Sequence, residues 1–338
     1  MQVIVDIHSH IVPAPIFDLF ERQRDAFPGV EMTAEPGGGP DGARFRFPGA
    51  PATRPVIPAL PDLAERKATM DRQGVDHALL SLWTDLEGYE LPPAEGLAWS
   101  RFVNACLLEQ LKGETRFSPL ASLPLQNGDM AAQVLEEALQ QGFAGAMIGT
   151  QPHGFGGGNL DDPDLEPFWA AASRLGAAIY VHPMFVCNEP RLADYDMTNA
   201  VGRLADGTIA LGRLIASGVL QRHPGVKLVL SHGGAALSLA IGRLRRCNEA
   251  AGNRYADPDD GLSRLFVDSC VYDARALGFV IDTFGADRVM LGTDAPMSIA
   301  EHDPVGLIDG IRLRADERKA ILGETARRVF RLRGCACG

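Results

Sequence analysis

The sequence predicts an α/β chain folded as a (β/α)₈ TIM barrel with loop insertions at its C-terminal mouth. Three observations point there. Short apolar, β-branched runs recur along the 338 residues, stretches of helical period separate them, and metal-competent side chains end several of the runs. The runs are continuous rather than alternating, as parallel strands buried on both faces require.

In chain order the predicted strands are Val3–Ile7, Ala78–Leu82, Ser118–Leu123, Ala144–Gly149, Ala178–His182, Lys227–Ser231, Leu265–Asp268 and Val289–Gly292. Amphipathic segments at Asp62–Gln73, Leu97–Lys112, Asp129–Gln141, Leu165–Leu175, Ala235–Glu249 and Ala274–Phe284 are the predicted helices between them. An open doubly wound sheet is the rival, but no Gly-rich phosphate turn follows the first strand. Gly154–Gly158 (GFGGG) follows the fourth strand without the required spacing and reads as a mobile loop. Glu35–Pro61, rich in Gly, Pro and Arg, reads as a long loop above the mouth, and Phe185–Thr198 as a second insertion. No repeat or linker divides the chain, so residues 1–338 are expected to form a single domain.

Composition narrows the partners. A net charge of −11 argues against nucleic acid or an anionic membrane surface, which need clustered Lys and Arg. The 6 cysteines (Cys106, Cys187, Cys247, Cys270, Cys335, Cys337) are scattered, as in a reducing compartment. MQVIVDIHSH lacks a signal-type apolar region, and no apolar run approaches membrane-spanning length, so the expected location is the cytoplasm.

The chemistry is concentrated at strand ends. His8 and His10 close the first run as HSH, and residues two apart in a strand project to one face. His182 ends the fifth run (YVHP), His232 the sixth (LSHGG) and Asp294 the eighth (GTDAP). Barrel active sites sit at this end, and a histidine–carboxylate set suits zinc or a similar divalent ion. His77, His153, His223 and His302 have no such placement, and His223 reads as a surface residue. Asp6 and Asp268 read as residues that either support ligands or serve the fold, rather than as ligands.

With DIHSHIVP, RPV (Arg54–Val56), MDRQGVD, LPLQ, VHP, SHGGAALSLAIGR, FVDS and DRVMLGTDAP in order, the chain resembles the amidohydrolase-2 branch of the metal-dependent amidohydrolase superfamily. Within it the likeness is greatest to the 2-amino-3-carboxymuconate-6-semialdehyde decarboxylases, and it covers nearly the whole chain. The resemblance implies one zinc ion, with manganese as the alternative, on His8, His10, His182 and Asp294. It implies His232 as an acid–base beside the metal, with Asp294 as the other candidate proton donor. It also implies carboxylate binding by Arg54 and by Arg243, the latter entering a neighbouring subunit's site in a homodimer. Two-metal members carry a modified lysine on the fourth strand, where this chain reads GAMIGT. The stretch between His10 and Arg54 departs from these decarboxylases, and Met184 and Phe185 follow VHP where they have tryptophan. Gly234 stands where carboxyvanillate and resorcylate decarboxylases carry a glutamate.

The expected activity is non-oxidative decarboxylation of a small unsaturated or aromatic carboxylic acid. The metal orients the substrate and lowers the pKa of a bound water, and His232 takes its proton. Hydrolysis of an amide or lactone, or hydration, would use the same ligands and stays open on sequence.

Overall fold

A computed structural model describes residues 2–34, 41–184 and 189–332. The strands are β1 (Val5–Ile11), β2 (Glu31–Thr33), β3 (Arg44–Arg46), β4 (His77–Leu82), β5 (Phe117–Ala121), β6 (Gly145–Gly149), β7 (Ala178–His182), β8 (Lys227–Leu230), β9 (Leu265–Asp268) and β10 (Val289–Met290). Eight of them form one sheet in the order β1-β4-β5-β6-β7-β8-β9-β10, every pair parallel. Backbone bonds join the first strand to the segment after the last. Ile7 N donates to Leu291 O (3.0 Å), Asp294 N to His8 O (2.8 Å) and His10 N to Ala295 O (2.7 Å). The ring is a TIM barrel.

The helices are α1 (Pro15–Arg22), α2 (Leu63–Gln73), α3 (Pro93–Gln110), α4 (Gly128–Gln140), α5 (Glu166–Leu175), α6 (Arg203–Ala216), α7 (Val219–Arg222), α8 (Leu237–Ala250), α9 (Pro258–Ser263) and α10 (Ala274–Phe284), with the short helices α11 (Pro304–Asp309), α12 (Ala315–Lys319) and α13 (Thr325–Val329) beyond. Capping explains several starts. Asp62 accepts from the amides of Ala64 and Glu65, and Asp273 does the same for Arg275 and Ala276. Gly74, at φ 69°, ends α2 in the left-handed conformation that costs glycine least.

Three apolar layers hold the molecule together. Ile148, Ile179, Leu228 and Val267 face outward onto the helices, which contribute Val134, Trp169, Leu214 and Leu277. Val5, Ile7, Leu79, Leu120, Met147, Val229, Phe266 and Met290 fill the lower barrel, which Val329 and Phe330 close from below. The third layer corrects the sequence reading of 35–61 as one long loop. Residues 44–46 pair antiparallel with 31–33, and Phe45 and Phe47 pack with Phe20, Phe27 and Trp99. Aromatic side chains spaced through a Gly/Pro-rich stretch gave no period, yet together they build a second core over α1 and α3. Residues 35–40 and 185–188 of the two insertions lie outside the described residues.

Within Gly154–Gly158, read as a mobile loop, residues 154–156 form a 3₁₀ turn, and Phe155 N donates to Glu90 Oε1 (3.1 Å). His223 is also corrected. It is buried, 2.7 Å from Glu166 Oε1, because the turn before β8 folds back onto α5. Among the described residues no helix is long and apolar enough to cross a membrane.

Candidate metal centre and adjoining cavity

A bulge in β1 aims the first two histidines. Val5 and Asp6 pair with His77 and Ala78, but Ser9 and His10 pair with Leu80 and Ser81, so β1 holds one extra residue between Asp6 and Ser9. Strict alternation would put His8 and His10 on the face opposite Val5 and Ile7. The bulge changes the phase, and all four side chains face the barrel axis. His182 ends β7, and His232 follows β8 in a tight turn.

That turn runs left-handed through His232 (φ 53°), Gly233 (63°) and Gly234 (76°). A Cβ on Gly234 would stand 2.9 Å from Val267 Cγ1, so packing and backbone together oppose a side chain such as glutamate at this position.

One donor atom each from His8, His10, His182 and Asp294 lies within 4.8 Å of the others, and all four residues are buried. Asp294 Oδ1 is 3.3 Å from His8 Nε2 and 3.2 Å from His10 Nε2. Surrounding bonds select which nitrogen faces the centre. His8 Nδ1 is 2.7 Å from Asp268 Oδ2, and His182 Nδ1 donates to Pro183 O (2.8 Å). His8 Nε2, His182 Nε2 and Asp294 Oδ1 remain buried without a hydrogen-bond partner. Buried polar atoms are rarely left so, and orphaned donors converging on one point fit a cation. The predicted ligand set is therefore brought together as a metal-binding site.

The electrostatics agree. Burial, then the neighbouring imidazoles of His10 and His8, hold His182 well below the ordinary histidine range. Burial also lowers His10. Burial would raise Asp294, yet His8 and His10 hold it well below the usual carboxylate range. Neutral imidazoles and an ionised carboxylate are the forms that bind metal. His8 alone is pushed up, burial being outweighed by Asp294 and Asp268, so this position attracts positive charge.

Asp268, expected to support a ligand, does so. Besides His8 it receives Tyr180 Oη (2.8 Å) and the amides of Gly233 (2.8 Å) and Cys270 (3.1 Å). Asp6 takes the amides of His8 (2.9 Å) and Thr293 (3.1 Å), fixing the two strand segments that carry His8 and Asp294.

His232 stands beside the ligands, its ring centroid 5.0 Å from that of His8 and 5.2 Å from that of His182. Its Nε2 is buried and unpartnered, and burial, then His8, push its pKa down to about 4. A neutral imidazole with a free nitrogen is suited to take a proton. His8, His232 and Cys270 also form a second cluster of donor atoms.

The donors open into a chamber of about 50 Å³ lined by His10, Trp83, His182, His232, Asp294 and Met297 among others. Beyond it lies a cavity of about 330 Å³ bounded by Phe47, Thr53, Glu90, Phe155 and Met184. Arg54 and Arg203 line both.

Arg54 is where the sequence reading places it, at the mouth. Its Nη2 and Nε meet Asp85 at 2.7 and 3.1 Å, and its guanidinium lies 5.0 Å from the Trp83 ring. Arg243 is not part of this chain's own site. It projects from α8 into solvent, without an ion pair among the described residues. Arg203 and Asp85 were missed, since neither ends a strand or belongs to a spaced motif.

A family model described as amidohydrolase matches residues 5–332. The 2-amino-3-carboxymuconate-6-semialdehyde decarboxylase of Dictyostelium discoideum is 32% identical over 265 residues, covering 76% of this chain and 73% of that protein. Among solved structures, the apo form of Metarhizium anisopliae IDCase superposes with a TM-score of 0.81 at 23% identity, covering 99% of this chain and 98% of that one. The 5-carboxyvanillate decarboxylase of Novosphingobium aromaticivorans, complexed with manganese and 4-hydroxy-3-methoxy-5-nitrobenzoic acid, superposes with a TM-score of 0.77 at 21% identity. It covers 98% of this chain and 96% of that one.

Proposed function

The chain belongs to the amidohydrolase family, and from that premise we propose that it is a metal-dependent decarboxylase of a small unsaturated or aromatic carboxylic acid. The observation that carries the reading is the buried, unpartnered Nε2 of His232 beside four converging metal donors. The 32% identical relative, itself a decarboxylase, supports the reaction class.

His8, His10, His182 and Asp294 would hold one divalent ion, which when bound supplies a Lewis acid that activates water and orients substrate oxygens. Three nitrogen donors and one carboxylate suit zinc, and manganese is the alternative, being the ion in the Novosphingobium relative. A single ion fits β6, whose GAMIG run offers no bridging lysine. His232 Nε2 takes a proton from water or substrate and can return it. Loss of CO₂ leaves an electron pair on carbon, and the proton that His232 took, or one that Asp294 first takes from water or substrate, completes the product. Arg54 would hold a substrate carboxylate through its remaining nitrogen.

The same reading includes a homodimer in which Arg243 enters the partner's cavity. α6 and α8 pack together, Ala236 N donating to Thr208 Oγ1 (3.0 Å), and they expose Ile209 (51%) and Leu239 (75%). An apolar face of this kind, one turn from Arg243, suits a two-fold contact.

The test is to incubate metal-loaded protein with conjugated and aromatic carboxylic acids and measure CO₂ release. New titratable acid without CO₂ would replace decarboxylation by hydrolysis.

A further inference from the structure

Two guanidinium groups line the chamber, and they differ in charge balance. Arg54 is neutralised by Asp85 at 2.7 Å. Arg203 has no acid within ion-pair distance among the described residues. Its Nε donates to Asn199 Oδ1 (3.1 Å), and its Nη1 to the carbonyls of Pro183 (2.9 Å) and Met184 (3.0 Å). Its Nη2 has no partner among the described residues.

Burial, and then Arg54, lower the pKa of Arg203, so its surroundings disfavour the charge. A guanidinium does not discharge at neutral pH, so an anion is the group that relieves this cost. The side chain lines the chamber with His10, His182, His232 and Asp294 as well as the outer cavity. Three bonds to neutral acceptors fix the planar fork before any ligand arrives.

We propose that Arg203 determines specificity by binding, from within the same chain, a carboxylate of the substrate that is retained through the reaction. A guanidinium on the departing carboxylate would stabilise the ground state against loss of CO₂, so Arg203 suits a spectator group. The assignment rests on the carboxylate chemistry of the proposed function.

Binding to metal-loaded protein is measured by calorimetry with two probes, benzene-1,3-dicarboxylate and its monoamide 3-carbamoylbenzoate, which keeps one carboxylate and carries an uncharged amide in place of the other. Wild type should prefer the dicarboxylate at least about tenfold. Arg203→Gln should weaken the dicarboxylate about 10- to 100-fold, the range for a lost charge-assisted bond, and leave the amide within about twofold. Arg203→Lys, which keeps the charge but loses the fork, should reduce the preference at least about threefold. Metal content and melting temperature are read on each variant, and Arg203→Lys carries the test if the glutamine chain does not fold. A wild type without preference, an unchanged preference in the variants, or equal weakening of both probes would overturn the assignment. Equal weakening would mean that Arg203 acts only by bracing the Pro183 and Met184 carbonyls. Charge preference without CO₂ release from any acid would refute decarboxylation and leave the Arg203 assignment standing. CO₂ release without charge preference would refute the assignment alone.

Discussion

Asp268 Oδ2 lies 2.7 Å from His8 Nδ1 and at the same time receives the hydroxyl of Tyr180 at 2.8 Å. One buried carboxylate therefore fixes which nitrogen of His8 faces the metal donors. Burial would raise Asp268, but the hydrogen bond from His8 keeps it below the ordinary range, so it stays ionised. Asp268→Asn keeps the shape and removes the charge. Metal affinity should fall about 10- to 100-fold, the usual effect of losing such a support. Competition with a chelator of known affinity measures it, and unchanged affinity would mean that Asp268 serves only the fold.

Metal content tests the ligand set. Wild-type protein should carry close to one divalent ion per chain, and His182→Ala should lose most of it. Elemental analysis after gel filtration decides. Two equivalents per chain would show that a second site exists beside the first, with the His8–His232–Cys270 cluster the place to look.

His232 is expected to act on protons without holding the ion. His232→Ala should keep its metal and lose about 100-fold or more in kcat, the scale of a positioned acid–base. Departure of the ion with the side chain would make His232 a ligand.

Acid should destabilise the fold through His77. Its ring is buried at the foot of β4, 2.9 Å from Ser118 Oγ, and burial pushes its pKa from 6.5 down to about 4. A histidine that resists protonation when folded costs nothing above the unfolded value. As pH falls from 6.5 toward 4 the unfolded chain binds the proton first, so stability drops, by about 3 kcal/mol at most. Thermal melts of wild type and His77→Gln from pH 7 to pH 4.5 should show a shallower decline in the variant. Parallel declines would assign the acid sensitivity to other groups.

Complementation tests Arg243. Arg243→Ala and His232→Ala chains, each inactive alone, should recover up to about a quarter of wild-type sites when mixed and exchanged into two-fold dimers. Verified exchange without recovery, or sedimentation as an active monomer, would leave Arg243 an ordinary surface residue.

Much of this site was legible in the linear sequence because barrel strands are short, buried on both faces and end at the active face. That is why HSH, YVHP, LSHGG and GTDAP stand out as strand ends, and the family resemblance then separates His8, His10, His182 and Asp294, which converge, from His232. The strand Ala178–His182 and the helix Ala274–Phe284 match their predicted bounds, since local patterning decides both. Other features depended on distant partners. The β1 bulge shows only against β4, and the aromatic core of the first insertion only when Phe45 and Trp99 meet. The same holds for charge balance at the cavity. No spacing reveals that Asp85 neutralises Arg54, or that Arg203 leaves the barrel wall with carbonyls for partners and no acid within ion-pair distance among the described residues. Periodicity records which faces are buried, whereas the state of a buried charge depends on which side chains the closed barrel brings beside it.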